Sequence, residues 1–375
     1  MGWFGGSTKK SFLGVDIGSS GIKVVELLNE KGRARLLTYG YSERRPGDLT
    51  LPLLDDPKTA ANLLVNVCKR AGTTSVKAVA SLPLASVFST LITVPREKDE
   101  KVIRETVQSQ VRKLTPMPLE EMITYSTFID PLKGSKMSDG TSIPVSNRSP
   151  NDSIKKKEYI RVLVTGTAKS LVQKYIETFK GAKLEIQALD TESFALIRSL
   201  VGKDKSTVMI LDIGSLRTNM TIVEKGIPFL TRSINVGGAA LTKKIMTQLG
   251  LSEEQAEQMK YDLGTLPPDA LSLTEGIPAI LESITHPILN EIRYAFDIYS
   301  RIELTDNKRV EKIILTGGSA HLPHLPEFLS QTLQMNVYRG DPWARVIFPP
   351  DLRAVLDEVG PRLAVAVGLA MREME

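Results

Sequence analysis

The sequence predicts an α/β protein made of two related halves, and two observations carry that prediction. The first is a repeat, because the four residues Asp-Ile-Gly-Ser at Asp16–Ser19 recur at Asp212–Ser215. The second is its context, since each copy follows an apolar run typical of a buried strand and precedes a second apolar run. A four-residue match alone carries little weight in 375 residues. The shared context indicates a duplicated strand–turn–strand unit.

Hydrophobic periodicity orders the elements of the first half. The predicted elements are strands Phe12–Ile17 and Ile22–Leu27, helix Lys58–Ala71, strands Val76–Leu82 and Val87–Val94, helix Glu97–Leu114, strand Tyr159–Thr165 and helix Ala168–Lys180. Between Asp130 and Lys157 the composition shifts to Ser, Asn, Asp, Gly, Pro and Lys. Such a segment cannot bury much apolar surface, so we predict a mobile surface loop.

The second half repeats the strand–turn–strand start and then becomes mostly helical. The predicted elements are strands Val208–Ile213 and Asn219–Val223, a helical stretch Leu241–Arg301, strand Lys312–Leu315, and helices Leu325–Leu333 and Arg362–Arg372. Four subdomains are expected. They are 1–86 with 186–205 and 351–375; an insertion at 87–185 carrying the mobile loop 130–157; 206–240 with 309–350; and a helical region at 241–308.

Composition excludes several classes of protein. The net charge of +5 comes from 48 basic against 43 acidic residues, and basic residues are not clustered beside aromatic ones, so no nucleic-acid partner is expected. No apolar stretch reaches the roughly 18 residues of a membrane span. The single cysteine, Cys68, excludes an internal disulfide and a cysteine zinc cluster. These features predict a cytoplasmic protein without a membrane span.

The two repeated turns have the chemistry of a phosphate site. A glycine-rich bend after a strand aims consecutive backbone N–H groups into one concavity, where phosphate oxygens bind. Asp16 and Asp212, one at the end of each strand, would hold Mg²⁺ through water molecules. Both are predicted metal ligands and, with Asp190, predicted catalytic residues. Glycine turns after strands are also common as plain structure, and neither a P-loop nor a dinucleotide-binding fingerprint is present.

A third glycine turn at Thr316–Ser319 follows a predicted buried strand. The three turns, in this order, resemble the phosphate and adenosine motifs of the actin, Hsp70 and sugar-kinase superfamily. The resemblance implies ATP and Mg²⁺ as ligands. The cofactor-binding residues it implies are Gly18, Ser19, Ser20, Gly21 and Lys23 in the first turn, Gly214, Ser215 and Thr218 with Gly237 at the second, Gly317, Gly318 and Ser319 in the third, and Glu257 and Lys260 on a helix. For the last two, a plain solvated helix face remains the alternative.

The implied architecture is an actin-like (ribonuclease H-like) two-lobe ATPase fold with an FtsA-type inserted subdomain. The segments Phe12–Leu27, Leu114–Glu121 and Pro361–Arg372 resemble the PilM family of type IV pilus assembly proteins more than FtsA. That resemblance implies a cytoplasmic ATP-binding protein at the inner membrane that holds the cytoplasmic tail of a PilN-like protein. It also implies proximity to the pilus motor ATPases and a role in twitching motility, and leaves self-association open.

Two other functions remain as alternatives. One is an FtsA-like cell-division filament protein, and the other is a sugar or acetate kinase that uses the same fold. A kinase needs a base beside the γ-phosphate, and either Asp190 or Glu192 lies where the superfamily carries its water-activating residue. No sugar-binding cluster is evident, so the kinase ranks last. Any ATP hydrolysis is expected to be slow, below about 10 s⁻¹.

Overall fold

A computed structural model describes residues 10–44, 46–97, 99–130, 159–263, 273–274 and 277–374. The predicted mobile loop 130–157 lies outside the described residues except for Asp130. The strands are, in chain order, β1 (Ser11–Gly18), β2 (Gly21–Glu30), β3 (Arg33–Tyr41), β4 (Lys77–Leu82), β5 (Phe88–Pro95), β6 (Met122–Phe128), β7 (Tyr159–Ala168), β8 (Glu185–Thr191), β9 (Val208–Ile213), β10 (Thr218–Glu224), β11 (Ile227–Ile234), β12 (Leu273–Thr274), β13 (Ile277–Pro278), β14 (Lys312–Thr316), β15 (Asn336–Arg339) and β16 (Val346–Ile347).

The helices begin and end where local sequence dictates. They are α1 (Pro57–Ala71), α2 (Glu100–Leu114), α3 (Lys169–Gly181), α4 (Glu192–Leu196), α5 (Gly238–Leu249), α6 (Glu253–Asp262), α7 (Glu282–Arg301), α8 (Leu325–Leu333) and α9 (Arg353–Met371). In α1 the Asp56 side chain accepts from the first free N–H groups, and Gly72 ends the helix in the left-handed region. No helix in the described part of the chain is both long and apolar enough to span a membrane.

Two larger sheets share one topology. The six-stranded sheet has the order β16-β3-β2-β1-β4-β8, and the five-stranded sheet has the order β11-β10-β9-β14-β15. In chain order, the strands β1, β2, β3, β4 and β8 of one sheet correspond to β9, β10, β11, β14 and β15 of the other. In both sheets the first of these strands pairs antiparallel with the second, the second antiparallel with the third, and the first parallel with the fourth. The fourth then pairs parallel with the fifth. The duplication that the Asp-Ile-Gly-Ser repeat predicts therefore extends to five strands of each sheet, and only β16, which pairs with β3, has no counterpart in the five-stranded sheet.

Helix α9 completes the hydrophobic core on both sheets. One set of its apolar residues, including Leu363 and Ala366, packs with Val25 and Leu27 of β2. Another set, including Leu369, packs with residues of β9 and β14. The backbones approach so closely that a Cβ on Gly368 would lie 1.8 Å from the Ala195 carbonyl oxygen. A single helix thus belongs to the cores of both halves.

The chain divides into two compact units. The larger comprises Met1–Leu84, Gln173–Arg301 and Asn307–Glu375, and holds both larger sheets. The smaller comprises Ala85–Val172 with Ile302–Asp306, and holds the sheet β5-β7-β6. In the smaller unit α2 packs on Ile160, Val162 and Val164 of β7. The predicted four-way division, with its insertion at 87–185, stays a prediction.

A buried ion pair anchors the edge of the smaller unit. The Arg161 guanidinium donates to both carboxylate oxygens of Asp130 at 3.0 Å, and also to the Leu304 carbonyl at 2.8 Å. Both charged side chains are almost fully buried. A buried charge is tolerated only when it is paired and hydrogen-bonded, and Asp130 supplies that partner for Arg161. The hydrogen bond from Arg161 to Leu304 fastens the short segment 302–306 to β7.

Candidate functional site

The first glycine turn is held rigidly between β1 and β2. Gly18 pairs with Gly21 across the hairpin, which leaves Ser19–Ser20 at the tip. Gly21 has a φ of +140°, and a Cβ there would lie 2.2 Å from the Ser42 carbonyl oxygen. Arg44 donates to the two carbonyls of the tip, from its guanidinium at 3.2 Å and from its backbone N–H at 2.8 Å. The segment after β3 therefore fixes the turn through hydrogen bonds to both carbonyl groups at its tip.

The second glycine turn lies against the start of α5. The backbone N–H of Gly238 donates to the Gly214 carbonyl at 3.0 Å, and the following N–H donates to the Ser215 carbonyl at 2.9 Å. A Cβ on Gly237 would lie 2.5 Å from the same Ser215 oxygen. Glycine is needed at 237 because of this close approach, since its backbone is extended and unstrained. The structure thus brings the predicted residue Gly237 to the second turn.

The third glycine turn lies directly against Asp212, in the second copy of the Asp-Ile-Gly-Ser repeat. Gly317 has a φ of +86°, and a Cβ there would lie 2.5 Å from Asp212 Oδ1. Its N–H donates to the Pro361 carbonyl of α9 at 3.0 Å. Ser319 lies on the other side of the turn, with its Oγ 2.6 Å from the place of a Cβ on Gly238. Two of the three predicted motifs therefore meet side by side.

Helix α6 brings Glu257 and Lys260 to the same place. Lys260 Nζ lies 2.6 Å from Glu257 Oε2 and donates to Thr242 Oγ1 at 3.1 Å. It is also 3.7 Å from the place of a Cβ on Gly238. Only 18% of the Lys260 side chain and 28% of the Glu257 side chain are exposed, so neither lies on a plainly solvated helix face. Their role as ribose and base contacts stays a prediction.

Asp16 and Asp212 are close enough to repel each other. Asp16 is buried, accepts from Ser81 Oγ at 3.1 Å, and pairs with Lys23 Nζ at 3.2 Å. Burial, and then the charge of Asp16, raise the pKa of Asp212 to about 6, while Lys23 and a hydrogen bond from Asn219 act in the opposite direction. Two carboxyl groups next to a single lysine leave a local excess of negative charge, which favours a cation.

The side chain of Glu192, rather than that of Asp190, lies close enough to Asp16 and Asp212 to be affected by their charges. Glu192 Oε2 accepts from the Leu84 N–H at 2.8 Å and from Asn219 Nδ2 at 3.1 Å. Burial, and then the charges of Asp16 and Asp212, raise its pKa to about 8. A carboxyl group with a pKa in this range is a candidate general base.

Asp190, the predicted catalytic residue, has a different environment. Its carboxylate is paired with Arg198 at 2.5 Å and lies 3.9 Å from Arg372. Its carboxylate is thus engaged with arginine side chains rather than with Asp16 or Asp212. Of the two alternatives, Glu192 is the one that lies with Asp16 and Asp212. A catalytic role for Asp190 stays a prediction.

The remaining predicted residues fall into two groups. Ser19, Ser20, Gly214, Ser215 and Gly318 lie in the turns where the sequence places them. Thr218 is buried, and its hydroxyl donates to the Val236 carbonyl at 2.7 Å, so its contact with the site passes through the segment before α5.

Within the described ranges, no group of three or more His, Cys, Asp or Glu side chains is arranged to hold a metal ion. Water-mediated binding by Asp16 and Asp212 stays a prediction.

Two sheets with matching strand order, each starting with a hairpin, and a glycine turn after β14 are the features of an actin-like α/β fold. The family model of the type IV pilus assembly protein PilM matches residues 14–136 and 148–374. The chain belongs to this family.

Relatives and solved structures agree with that assignment. Cell division protein FtsA of Streptococcus pneumoniae serotype 2 (strain D39 / NCTC 7466) is 23% identical over 359 residues, which cover 87% of this chain and 74% of that protein. FtsA of Enterococcus hirae is 28% identical over 236 residues, 56% of this chain, and the match spans about half of that protein, 53%. A PilM-PilN type IV pilus biogenesis complex has a chain that superposes with a TM-score of 0.75 at 24% identity, covering 97% of this chain and 98% of that one.

Proposed function

We propose that this protein is the cytoplasmic ATP–Mg²⁺-binding component of a type IV pilus assembly platform. In that role it binds the cytoplasmic tail of a PilN-like inner-membrane protein and couples its nucleotide state to assembly. The family assignment supports the pilus role, and the relative solved with PilN supports the kind of partner. The nucleotide part depends on the candidate site.

The meeting of the second and third glycine turns at Asp212, with Asp16 close by, is the observation that carries the nucleotide proposal. Backbone approaches this close leave no room for side chains, and turns of bare backbone of this kind suit the approach of phosphate oxygens. The carboxylates of Asp16 and Asp212 would repel a triphosphate unless a cation lay between them. Lys23 alone cannot offset both aspartates and the phosphates.

Mg²⁺ fits the donor set at this position. It is a hard cation that prefers oxygen ligands and keeps several of its water molecules. Burial, and then repulsion between neighbouring carboxylates, raise the pKa values of Asp212 and Glu192, and a bound cation would offset that repulsion. When bound, the metal would neutralise charge on the phosphates. Asp16 and Asp212 would orient its water shell, and Glu192 would hold a proton-accepting oxygen beside it.

Slow hydrolysis is expected from this arrangement. The carboxylates can orient a water molecule, but the only cation with a described contact among them is Lys23, which is already paired with Asp16. Little charge stabilisation is therefore available to the transition state from the protein itself. We expect turnover below about 10 s⁻¹ without a partner.

The first test is ATP binding by glycine variants. The atom closest to a Cβ on Gly18 would be Lys23 Nζ, the end of a flexible side chain, at 2.8 Å, and a Cβ on Gly214 would be 3.1 Å from the Arg217 carbonyl oxygen. Gly18→Val and Gly214→Val should therefore fold but lose at least about tenfold in ATP affinity, because the added methyl groups project where the phosphates approach. Gly32→Asn, in the exposed β2–β3 turn, is the matched control.

Calorimetric titration with ATP in the presence and absence of Mg²⁺ measures the effect. Unchanged unfolding temperatures would show that the variants are folded. If folded Gly18→Val and Gly214→Val both bound ATP as tightly as the parent, the assignment of the phosphate turns would be wrong.

The FtsA-like filament function is the second candidate. Its support is the 23% identity with a division protein across 87% of this chain. The two functions differ in what ATP causes. Sedimentation of the purified protein with ATP would reveal filaments, whereas capture by a PilN-type cytoplasmic peptide would favour the pilus platform.

A further inference from the structure

One arginine connects three separate elements around the candidate site. Arg362 lies in α9, and its guanidinium pairs with Glu43, which follows β3. It also donates to the Tyr261 hydroxyl of α6 at 3.0 Å and lies over the Tyr41 ring, 5.2 Å from its centroid. Only 23% of the Arg362 side chain is exposed. We call Arg362, Glu43, Tyr261 and Tyr41 the arginine bridge.

Each attachment point of the arginine bridge is next in sequence to a residue of the candidate site. Arg362 follows Pro361, whose carbonyl accepts from Gly317 of the third turn. Glu43 precedes Arg44, which supports the first turn. Tyr261 follows Lys260, which lies against the second turn. The Arg362 Nε is itself 3.9 Å from the place of a Cβ on Gly318.

The position of the arginine bridge bears on how fast a nucleotide can bind and dissociate. It ties the six-stranded sheet to α6, which packs on α5 through Thr242 and Glu257. A nucleotide that contacts all three turns would touch elements that the arginine bridge joins to one another. Opening of the bridge contacts would therefore let these elements move apart around the ligand.

We propose that the arginine bridge is a gate that limits the rate of nucleotide exchange, with Arg362 as its positioning residue. This inference rests on the proposed nucleotide site. Charge pairs, a hydroxyl contact and a cation–π contact of this kind are individually weak, so the gate opens by thermal motion without unfolding the protein. Because they act on one guanidinium, removing that group releases all three elements at once.

The test measures association and dissociation of a fluorescent ATP analogue by stopped flow. Arg362→Ala should raise both rate constants about 5- to 30-fold, the factor expected when contacts of this size are lost together. The equilibrium dissociation constant should change less than either rate constant, because loss of the bridge lowers the activation barrier for binding and for release by similar amounts. Arg353→Ala is the matched control. Arg353 lies on the same helix and pairs with Asp341 and Asp357, away from the turns.

A milder variant covers the case in which Arg362→Ala does not fold. The double variant Glu43→Gln with Tyr261→Phe removes two bridge contacts from exposed residues and should also speed exchange. Adding it to Arg362→Ala should cause no further change, because the contacts share one partner.

The outcomes separate the two proposals. If the parent protein does not bind the analogue, the proposed function fails. If the parent binds it and the rates in the folded bridge variants match those of Arg353→Ala, the gate is excluded and the arginine bridge is only a structural link. A rise in both rates, at an unfolding temperature equal to that of the control, supports the gate.

Discussion

Asp190 and Glu192 show how one local feature decides which side chain reaches a site. The two residues are two positions apart and would share a face if the strand continued. Instead β8 ends at Thr191, whose hydroxyl accepts from the Phe194 N–H and begins α4. Glu192 is therefore the first residue of a helix and no longer follows the alternation of the strand. Sequence patterns place such a boundary only to within a few residues, so the choice needed the structure.

Other residues of the site were predictable to different degrees. The glycines and aspartates of the repeated turns were found from sequence, because their spacing after a strand has a local cause. Arg44 was missed, because its contacts with the first turn join residues 25 positions apart and leave no local pattern. Arg362 was missed for the same reason, since 319 positions separate it from Glu43.

The pH dependence of stability should identify Glu192 in solution. Its pKa is raised from 4.5 to about 8, with burial as the main cause. A carboxyl group whose pKa is raised on folding stabilises the protein fully below its ordinary pKa. That stability is lost as the pH rises through the folded pKa. The nucleotide-free protein should therefore lose stability between pH 5 and 8, and Glu192→Gln should lose less.

Unfolding temperatures of parent and variant across this pH range measure the difference. The two proteins should be equally stable near pH 5, where both side chains are neutral, and the variant should be the more stable at pH 8. Parallel curves over the whole range would contradict the raised pKa. Asp190→Asn serves as the control, since Asp190 is paired with Arg198.

At the scale of elements, the sequence predicted what strong local patterns encode. Helices α1 and α8 and the two repeated hairpins lie where the periodicity placed them. The strands missed include β3, β6, β8, β11, β15 and β16. β3 and β6 alternate or expose their residues and depend on pairing with a neighbour for stability, which a short sequence window does not contain.

Helix α9 began earlier than predicted. The predicted start at Arg362 followed Pro361, because proline disfavours a helix interior. The structure shows Pro361 inside a helix that begins at Arg353, and most residues of its first two turns are exposed. Packing of the apolar remainder of α9 on two sheets overrides the local cost of the proline.

The close packing of α9 makes Gly368 sensitive to the smallest substitution. A Cβ at this position would lie 1.8 Å from a backbone carbonyl oxygen, which cannot rotate away. We expect Gly368→Ala to lower the free energy of unfolding by about 3 kcal/mol, the upper part of the usual range for overpacking. Gly47→Ala should be nearly neutral, because its Cβ would meet only a side-chain atom at 3.7 Å.

Denaturant unfolding followed by circular dichroism measures both variants. A Gly368→Ala protein as stable as Gly47→Ala would mean that α9 can move away from α4, contrary to the tight contact described. Because Gly368 is not among the residues of the glycine turns, loss of ATP affinity in this variant should follow loss of fold rather than precede it.

At the scale of the whole molecule, nucleotide and partner are expected to be coupled. Glycine turns from both halves would contact one ligand, so ATP favours the arrangement in which they approach most closely. A ligand shifts a conformational equilibrium only by its different affinities for the two states, and the effect between two ligands is reciprocal. A typical coupling of about 1–3 kcal/mol would change the affinity for a PilN-type peptide by about 5- to 150-fold.

Calorimetric titration of that peptide into nucleotide-free and ATP-loaded protein measures the coupling. Asp16→Ala, which should weaken nucleotide binding, is the control and should show a single peptide affinity under both conditions. Equal affinities for the parent protein, with ATP shown independently to be bound, would make the nucleotide a structural ligand without influence on the partner.

The shared helix α9 also has a consequence for how the protein is made. Its residues 353–371 complete the cores on both larger sheets, yet they leave the ribosome after all the strands they cover. Until α9 has emerged, neither sheet can complete the core to which this helix contributes, so part of the apolar surface of each sheet stays exposed. Nascent chains of this protein should therefore depend on chaperones until α9 has emerged, and then both halves should become protease-resistant in a single step.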